Sequence, residues 1–320
     1  MLKAYACHHA RLQSLPPADF TDAVWFDLEN PTAEEYAFVT RLTGNSLPHY
    51  DDLAEIENSA RLSVEDDVLT LSLPVVTRVE GLLEDGVCGF VLSPRHLITL
   101  RFAPSAVFAQ FTSPPPPENV PPSAHLFAGL LEAISDKLAD ALEKLRAELN
   151  DLSHQIFHHR MGSRTPSRNA ERELQAILVK LGLDYDSLSY LRDCQLGIAR
   201  IAPYASVAAP WLGKPVRERL KSVQKDVSSL NEFSTHLTDK VQFLMDATLG
   251  FINIAQNSLI KVLTIVSIMG IPPTLIAGIY GMNFKIIPEL SWTYGYAYAW
   301  ALMIISAVAP LIWFRKRGWI

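Results

Sequence analysis

The spacing of hydrophobic and polar positions changes twice along this chain, and each change marks a different kind of element. In the first part, apolar residues come in short β-rich runs: Val24-Trp25-Phe26-Asp27-Leu28, Val68 to Val76, Gly86 to Leu92 and His96 to Phe102. Glu84-Asp85-Gly86 and Ser93-Pro94 read as turns between them, and Asn30-Pro31 reads as a cap with proline opening a helix that Gly44 ends. These elements predict a small mixed sheet with helices, an N-terminal α/β domain over residues 1–122. Pro114 to Pro117, then Pro121-Pro122, form a stiff linker that closes it.

From about Ser123 the period lengthens. Leu126, Leu130, Leu131, Ile134, Leu138, Leu142 and Leu145 mark one face of a long helix reaching about His158. The turn residues Gly162-Ser163-Arg164-Thr165-Pro166 return the chain into a second helix, roughly Arg168 to Ile201, so residues 123–202 are expected as antiparallel long helices. After Pro203, Pro210 and Pro215 a third helix begins, and between Val216 and Met269 only Gly250 weakens it. A helix of about 65 residues measures about 100 Å, so a stalk helix over 203–261 is expected to run straight into the segment that follows.

The second change is a loss of charge. Val262 to Phe284 and Leu290 to Phe314 are uncharged runs of 23 and 25 residues. About 20 apolar residues cross a hydrocarbon core, so 262–284 and 290–314 read as two transmembrane spans joined by an external loop at 285–289. Arg315-Lys316-Arg317, in the basic tail 315–320, holds that end on the cytoplasmic side, and two spans then put both termini there. Trp292, Tyr294, Tyr296 and Tyr298 at one end, with Trp313 and Trp319 at the other, are spaced like interfacial aromatic belts. Met1 to His9 has no apolar core of signal-peptide length, so the first 250 residues are expected to stay in the cytosol.

Charge narrows the function classes. Of 28 basic and 34 acidic residues, the last 70 positions hold five and one, which leaves a net of −10 over residues 1–250. An acidic body of this kind excludes a broad phosphate-backbone-binding surface, and nucleic acid with it. Cys7, Cys88 and Cys194 are odd in number and far apart, which fits neither a disulfide framework nor a thiolate metal site. The pairs His8-His9 and His158-His159 lack partners at zinc-like spacing, and no phosphate-binding G-x-x-x-x-G-K-[ST] loop is present, so no enzyme chemistry is expected.

Inside the first span one stripe is distinct. Asn257, Ile260, Leu263, Ser267, Ile271, Thr274 and Gly278 share a helical face, and its small and hydroxyl residues suit either close helix packing or a pore lining. Val262, Ile265, Ile268 and Leu275 lie elsewhere. Pro272-Pro273 removes backbone hydrogen bonds in mid-membrane, which a neighbouring helix or a cavity has to compensate. At the outer end stand Tyr280-Gly281-Met282-Asn283-Phe284 and then Ile287-Pro288-Glu289-Leu290. Together with Gly278-Ile279-Tyr280, with Phe251-Ile252-Asn253-Ile254 before the span and with the terminal Gly318-Trp319-Ile320, these residues resemble the CorA family of divalent-metal transporters, whose signature is Gly-Met-Asn at this end of the first of two C-terminal spans. The resemblance is sharpest over about residues 240 to 320 and follows the whole chain in its order of elements.

That resemblance implies a funnel-shaped homopentamer in an inner or plasma membrane, with five first-span helices around a pore and five second-span helices outside. Its partners would be copies of itself, the lipid bilayer and divalent cations. Mg²⁺ would be both transported and regulatory, with no organic cofactor. A divalent ion moving inward gains about 4.6 kcal/mol per 100 mV of membrane potential, so no catalytic group is needed. Gly281, Met282 and Asn283 would form the selecting ring: Mg²⁺ dehydrates reluctantly, and amide and backbone oxygens can hold its hydration shell without stripping it. A helix C-cap is the plain alternative for Asn283. Glu289, in five copies, would concentrate cations at the mouth or else be a solvated loop residue. Lys285 departs from the acidic residue expected in many relatives and adds a positive ring there. The implied gate is apolar, Ile260 and Leu263, closing by dewetting.

Intracellular Mg²⁺ between neighbouring cytosolic domains would hold the closed state. Asp51, Asp52, Glu55, Glu57, Glu65, Asp66 and Asp67 in the sheet domain and Asp226, Asp239 and Asp246 on the stalk are the available carboxylates. Ser222 stands where some relatives carry a regulatory aspartate, with Asp226 one turn on. A zinc, Co²⁺ or Ni²⁺ transporter of the same architecture is the alternative within this class, and a non-conducting membrane-anchored helical scaffold is the alternative outside it.

Overall fold

The computed structural model describes residues 1–8, 11–55, 61–79, 82–114, 116–117, 120–162, 168–283 and 287–318. It divides into two compact units, Met1–Gln155 with Val179–Leu244, and Ile156–Leu178 with Met245–Ile320.

The first unit is built on seven strands, β1 (Leu2–His8), β2 (Arg11–Ser14), β3 (Trp25–Glu29), β4 (Leu62–Glu65), β5 (Val68–Val79), β6 (Leu82–Leu92) and β7 (Leu97–Arg101). They form one sheet in the order β2-β1-β3-β7-β6-β5-β4. Only β3 and β7 run parallel, from Trp25 against Leu97 to Glu29 against Arg101, and both are buried runs with little alternation. Asp27 is the buried polar residue of β3. Its carboxylate receives Nε and Nη2 of Arg101 at 2.9 and 2.8 Å and the Thr99 hydroxyl at 2.9 Å, while Glu29 takes a further bond of 2.9 Å from Nη2. A buried charge pair is tolerated when its lone pairs and protons are all used in this way.

Three local readings change. Glu84, Asp85 and Gly86 are turn formers by type, yet they lie inside β6 opposite Thr77, Val76 and Val75, because a hairpin pairing Leu69–Val79 with Leu82–Leu92 outweighs local preference. Strands β1 and β2 leave little mark in the hydrophobic pattern, since the inward positions of β1 are the small Ala4 and Ala6. Helix α1 (Ala33–Thr43) is capped by Thr32 instead of Asn30: the Glu35 N–H donates to the Thr32 hydroxyl at 3.2 Å and the Thr32 N–H to the Glu35 carboxylate at 2.9 Å. Gly44 ends α1 at φ 72°, a left-handed position that favours glycine.

The remaining helices are α2 (Tyr50–Ala54), α3 (Ala106–Gln110), α4 (Pro122–Gly162), α5 (Arg168–Ala208), α6 (Gly213–Tyr280, 68 residues) and α7 (Gly295–Lys316). The expected end of the second long helix at Ile201 is overrun: α5 continues through Pro203 to Ala208, forgoing the bond that the residue at 203 would make to the carbonyl four residues back. Within the first unit, Leu142, Leu149 and Leu152 of α4, Leu181, Leu188 and Leu191 of α5, and Val223, Val227 and Leu237 of α6 are buried at helical spacing. Gln195 and Ser234 exchange two side-chain bonds of 2.9 and 3.1 Å inside this layer. Arg219 clamps Glu132 of α4 through Nε at 2.8 Å and also reaches Nδ1 of His125 at 3.0 Å. That ring nitrogen faces a cation and acts as acceptor, so Nε2 carries the proton and donates to the Pro114 carbonyl at 3.0 Å. Burial and Arg219 together lower the His125 pKa.

In the second unit, Phe157 meets Phe251 edge-on with ring centroids 5.9 Å apart. The helices holding the two apolar runs, α6 and α7, are each long and apolar enough to cross a membrane. Helix α7 starts at Gly295, later than the expected span start at 290, because Pro288–Ser291 is taken up by a 3₁₀ turn.

Candidate ion pathway

Helix α6 shows two faces beyond residue 250. Ala255, Ser258, Ile265, Met269, Pro272 and Ile276 make a half-buried seam. Ile265, Met269 and Ile276 stand two residues after Leu263, Ser267 and Thr274, about 200° round the helix at 3.6 residues per turn. The stripe therefore lies on the far side, where Ile260, Leu263 and Ile271 are 60, 67 and 64% exposed. Asn257, Thr274 and Gly278 are exposed and Ser267 is half-buried. Helix α7 has its own covered seam through Gly295, Ala299, Ser306, Ala307, Pro310 and Phe314, rich in the small residues that let membrane helices approach closely.

Along the outer half of the stripe runs a groove of about 610 Å³, lined by Ser267, Ile271, Thr274, Gly278 and Met282. Val266, Gly270, Leu275 and Ile279 line it as well, so it is wider than the single row of the sequence pattern and includes Leu275, which that pattern set apart. Gly270 and Gly278 leave the room, and alternating small and large residues were the available signal. The hydroxyls of Thr264 and Thr274 donate to Ile260 and Gly270 carbonyls at 2.8 and 2.7 Å, satisfying themselves within the helix. Pro272 and Pro273 have no N–H to offer the carbonyls one turn back.

The helix closes with the Gly281 N–H donating to Ala277 O at 2.9 Å and the Met282 N–H to Ile279 O at 3.2 Å. Asn283 stands exposed just past this end, where the last carbonyls and the negative pole of the helix dipole face outward. Glu289 is half-buried in the 3₁₀ turn, with its carbonyl accepting the Trp292 N–H at 3.3 Å. Lys285 lies outside the described residues, as do Glu57 and His9 and the side chains of His8, His158 and His159.

The acidic candidates of the first unit are scattered. Asp51 and Asp52 open α2, and the Asp52 carboxylate is engaged as a cap by the His49 N–H at 2.8 Å. Asp66 and Asp67 form the β4–β5 turn at φ 46° and 65°, and the Asp67 carbonyl accepts the Trp211 indole N–H at 3.2 Å. Asp226 and Asp239 are exposed on α6, and thirteen residues place them about 220° apart around its axis, so one copy cannot bring both to one ion. Among the described residues no group of three or more His, Cys, Asp and Glu is placed to hold a metal. One carboxylate went unread in the sequence: Asp184, 6% exposed on the buried seam of α5, with Oδ2 lacking a hydrogen bond. Burial, then Glu148, push its pKa to about 6, against a smaller lowering by Lys180. Its place between Leu181 and Leu188 in an apolar row was the available signal.

Three comparisons bear on this arrangement. The profile of the family described as CorA-like Mg²⁺ transporter protein matches residues 21–316. The chain is 32% identical over 326 residues to a magnesium transport protein CorA of Haemophilus ducreyi and 32% identical over 327 residues to one of Escherichia coli K12, with 100% of each chain covered. In fold it is similar to the CorA magnesium transporter of Methanocaldococcus jannaschii, with TM-score 0.74, 20% identity and coverage of 100% of this chain and 99% of that one. It is also similar in fold to the full-length CmaX protein, with TM-score 0.65, 15% identity and coverage of 99% and 96%. Full-length identity with the first pair, on top of a Gly-Met-Asn end to the first of two apolar helices, makes this chain a member of the CorA-like Mg²⁺ transporter family.

Proposed function

We propose that this chain forms a membrane pore for divalent cations and that Mg²⁺ is the ion it carries inward. The observation that supports this most is the exposed stripe of α6, an uncovered face of a membrane-length helix that ends in Gly281-Met282-Asn283. Relatives named magnesium transport protein CorA support the same ion. Five copies with their stripes turned inward cover that face and line a central path with it. Each helix end contributes about half a negative charge, so five give about 2.5 at the entrance before any side chain is counted. The Asn283 amides add neutral oxygens that hydrogen-bond the water shell of Mg²⁺.

Deeper on the stripe, Ile260 and Leu263 close the path by dewetting. The protein sits in an inner or plasma membrane with both termini in the cytoplasm, and cytosolic Mg²⁺ favours the closed state. Mg²⁺ takes six oxygen ligands, so the regulatory sites are completed between copies, with Asp51, Asp66, Asp67, Asp226 and Asp239 as contributors. Mg²⁺ influx into proteoliposomes tests the pore. Asn283→Ala is expected to abolish uptake while the oligomer stays intact on size exclusion, because the change removes an exposed amide and little buried area. Parent-like flux in that variant overturns the filter. Competition by Zn²⁺, Co²⁺ and Ni²⁺ in the same vesicles separates a Mg²⁺ carrier from a carrier of another divalent ion.

A further inference from the structure

The tightest backbone approach at a glycine in the second unit lies in the external segment, not in the pore. A Cβ built on Gly295 would stand 2.1 Å from the carbonyl oxygen of Glu289 and 3.2 Å from its carbonyl carbon. No side-chain motion relieves that clash, since the opposing atoms are backbone. The stretch from Pro288 to Gly295 is tied in three further ways. The Trp292 N–H donates to Glu289 O at 3.3 Å, the Gly295 N–H to Trp292 O at 3.1 Å, and the Ser291 hydroxyl to Pro288 O at 2.7 Å. The Trp292 ring then packs on Tyr298 of α7 with centroids 5.7 Å apart. Glu289 is thus carried on a short turn whose base is pressed onto the first residue of α7.

We infer that Gly295 is a positioning residue for cation capture: its missing side chain lets the turn seat on α7, and that seating fixes where the Glu289 carboxylate stands relative to the pore mouth. The inference rests on the pore reading above. It adds a reason for glycine at a position whose backbone is helical and which needs no unusual dihedral. Glu289 is the single acidic residue after position 246. In a fivefold ring it is the external side-chain charge that attracts cations, and charge focusing works only if it is aimed at the mouth. A turn pushed off α7 by a methyl group keeps the charge but loses its aim.

The experiment measures Mg²⁺ influx against external Mg²⁺ for the parent, Gly295→Ala, Glu289→Gln and the double variant, with backbone amide exchange of residues 287–295 followed in each. Gly295→Ala is expected to raise half-saturating Mg²⁺ by up to about tenfold, the low end of electrostatic focusing, with maximal flux retained. Glu289→Gln should do the same, and the double variant should be no worse than Glu289→Gln alone. Exchange at Trp292 and the residue at 295 should quicken in Gly295→Ala and stay slow in Glu289→Gln. Parent-like half-saturation in either single variant, multiplying effects in the double, or loss of maximal flux with half-saturation unmoved would each overturn the inference. If Gly295→Ala does not assemble, Trp292→Ala loosens the same turn from its outer side and is held to the same outcomes. A parent that carries no Mg²⁺ refutes the pore reading by itself, and unchanged exchange in Gly295→Ala then still refutes the seating.

Discussion

Asp27 and Asp184 are both buried, and they show how differently one residue type can be kept inside a protein. Asp27 has Arg101 on both oxygens and the Thr99 hydroxyl besides, whereas Asp184 has one oxygen without a partner and Glu148 as its nearest like charge. The folded value near 6 for Asp184 lies above the ordinary 3.8, so the fold favours the protonated acid. Its contribution is fully present below pH 3.8 and is lost as pH rises through about 6. Asp184→Asn keeps the shape without the charge. It is expected to stabilise the detergent-solubilised protein at pH 8 by about 1–2 kcal/mol once solvent screening is allowed for, read as a higher melting temperature, and to leave it unchanged at pH 3.5. A variant no more stable than the parent at pH 8 would show that the carboxylate is solvated. Gly281, Met282 and Asn283 stand out in the sequence as a motif at the end of an uncharged run. Asp184 does not, because a single polar letter in an apolar row carries no partner in its own vicinity.

At the scale of elements, legibility followed periodicity. Helix α4 announces itself through leucines at three and four residues, α5 and α6 through the turn residues and prolines that precede them, and the stripe of α6 is visible because Ser267, Thr274 and Gly278 interrupt an apolar run at that spacing. Strand β1 is hidden by alanines at its buried positions, and the middle of β6 by residues that usually turn. Helix bounds differ from the uncharged runs at 262–284 and 290–314 because charge marks a hydrophobic run, while helix ends are set by backbone bonds and by the turn at Pro288–Ser291. The stripe also carries a test of the gate. If the gate is where it is proposed, Leu263→Gly or Ile260→Gly widens an apolar constriction and should admit water, so either variant is expected to leak Mg²⁺ in vesicles loaded with millimolar Mg²⁺, the condition proposed to close the parent. Leak equal to the parent's in both places the gate elsewhere.

The whole molecule is divided by charge before it is divided by structure. Residues 1–250 hold a net of −10, and in the proposed pentamer five such bodies side by side would repel one another. Divalent cations between facing carboxylates relieve that repulsion, which is why the regulatory sites are proposed between copies. It is also why they could not be read: ligands that meet only across copies have no spacing within one chain. Removing Mg²⁺ with EDTA at matched ionic strength should therefore loosen the assembly, and trypsin should cut faster after Lys221 and Lys225, exposed on α6. Identical digestion with and without Mg²⁺ would remove the acidic surface as sensor and leave the pore untouched.

The short connection from Tyr280 to Gly295 bears on biogenesis as well. Only fourteen residues separate the two apolar helices, and they contain one lysine and one glutamate, with no net charge. Carrying such a segment through hydrocarbon costs far less than carrying a polar domain. With both termini in the cytoplasm, as proposed, the two helices would enter the bilayer together as a hairpin, Arg315, Lys316 and Arg317 staying on the side of synthesis. In the proposed orientation, with both termini in the cytoplasm, residues 1–250 would not have to be translocated.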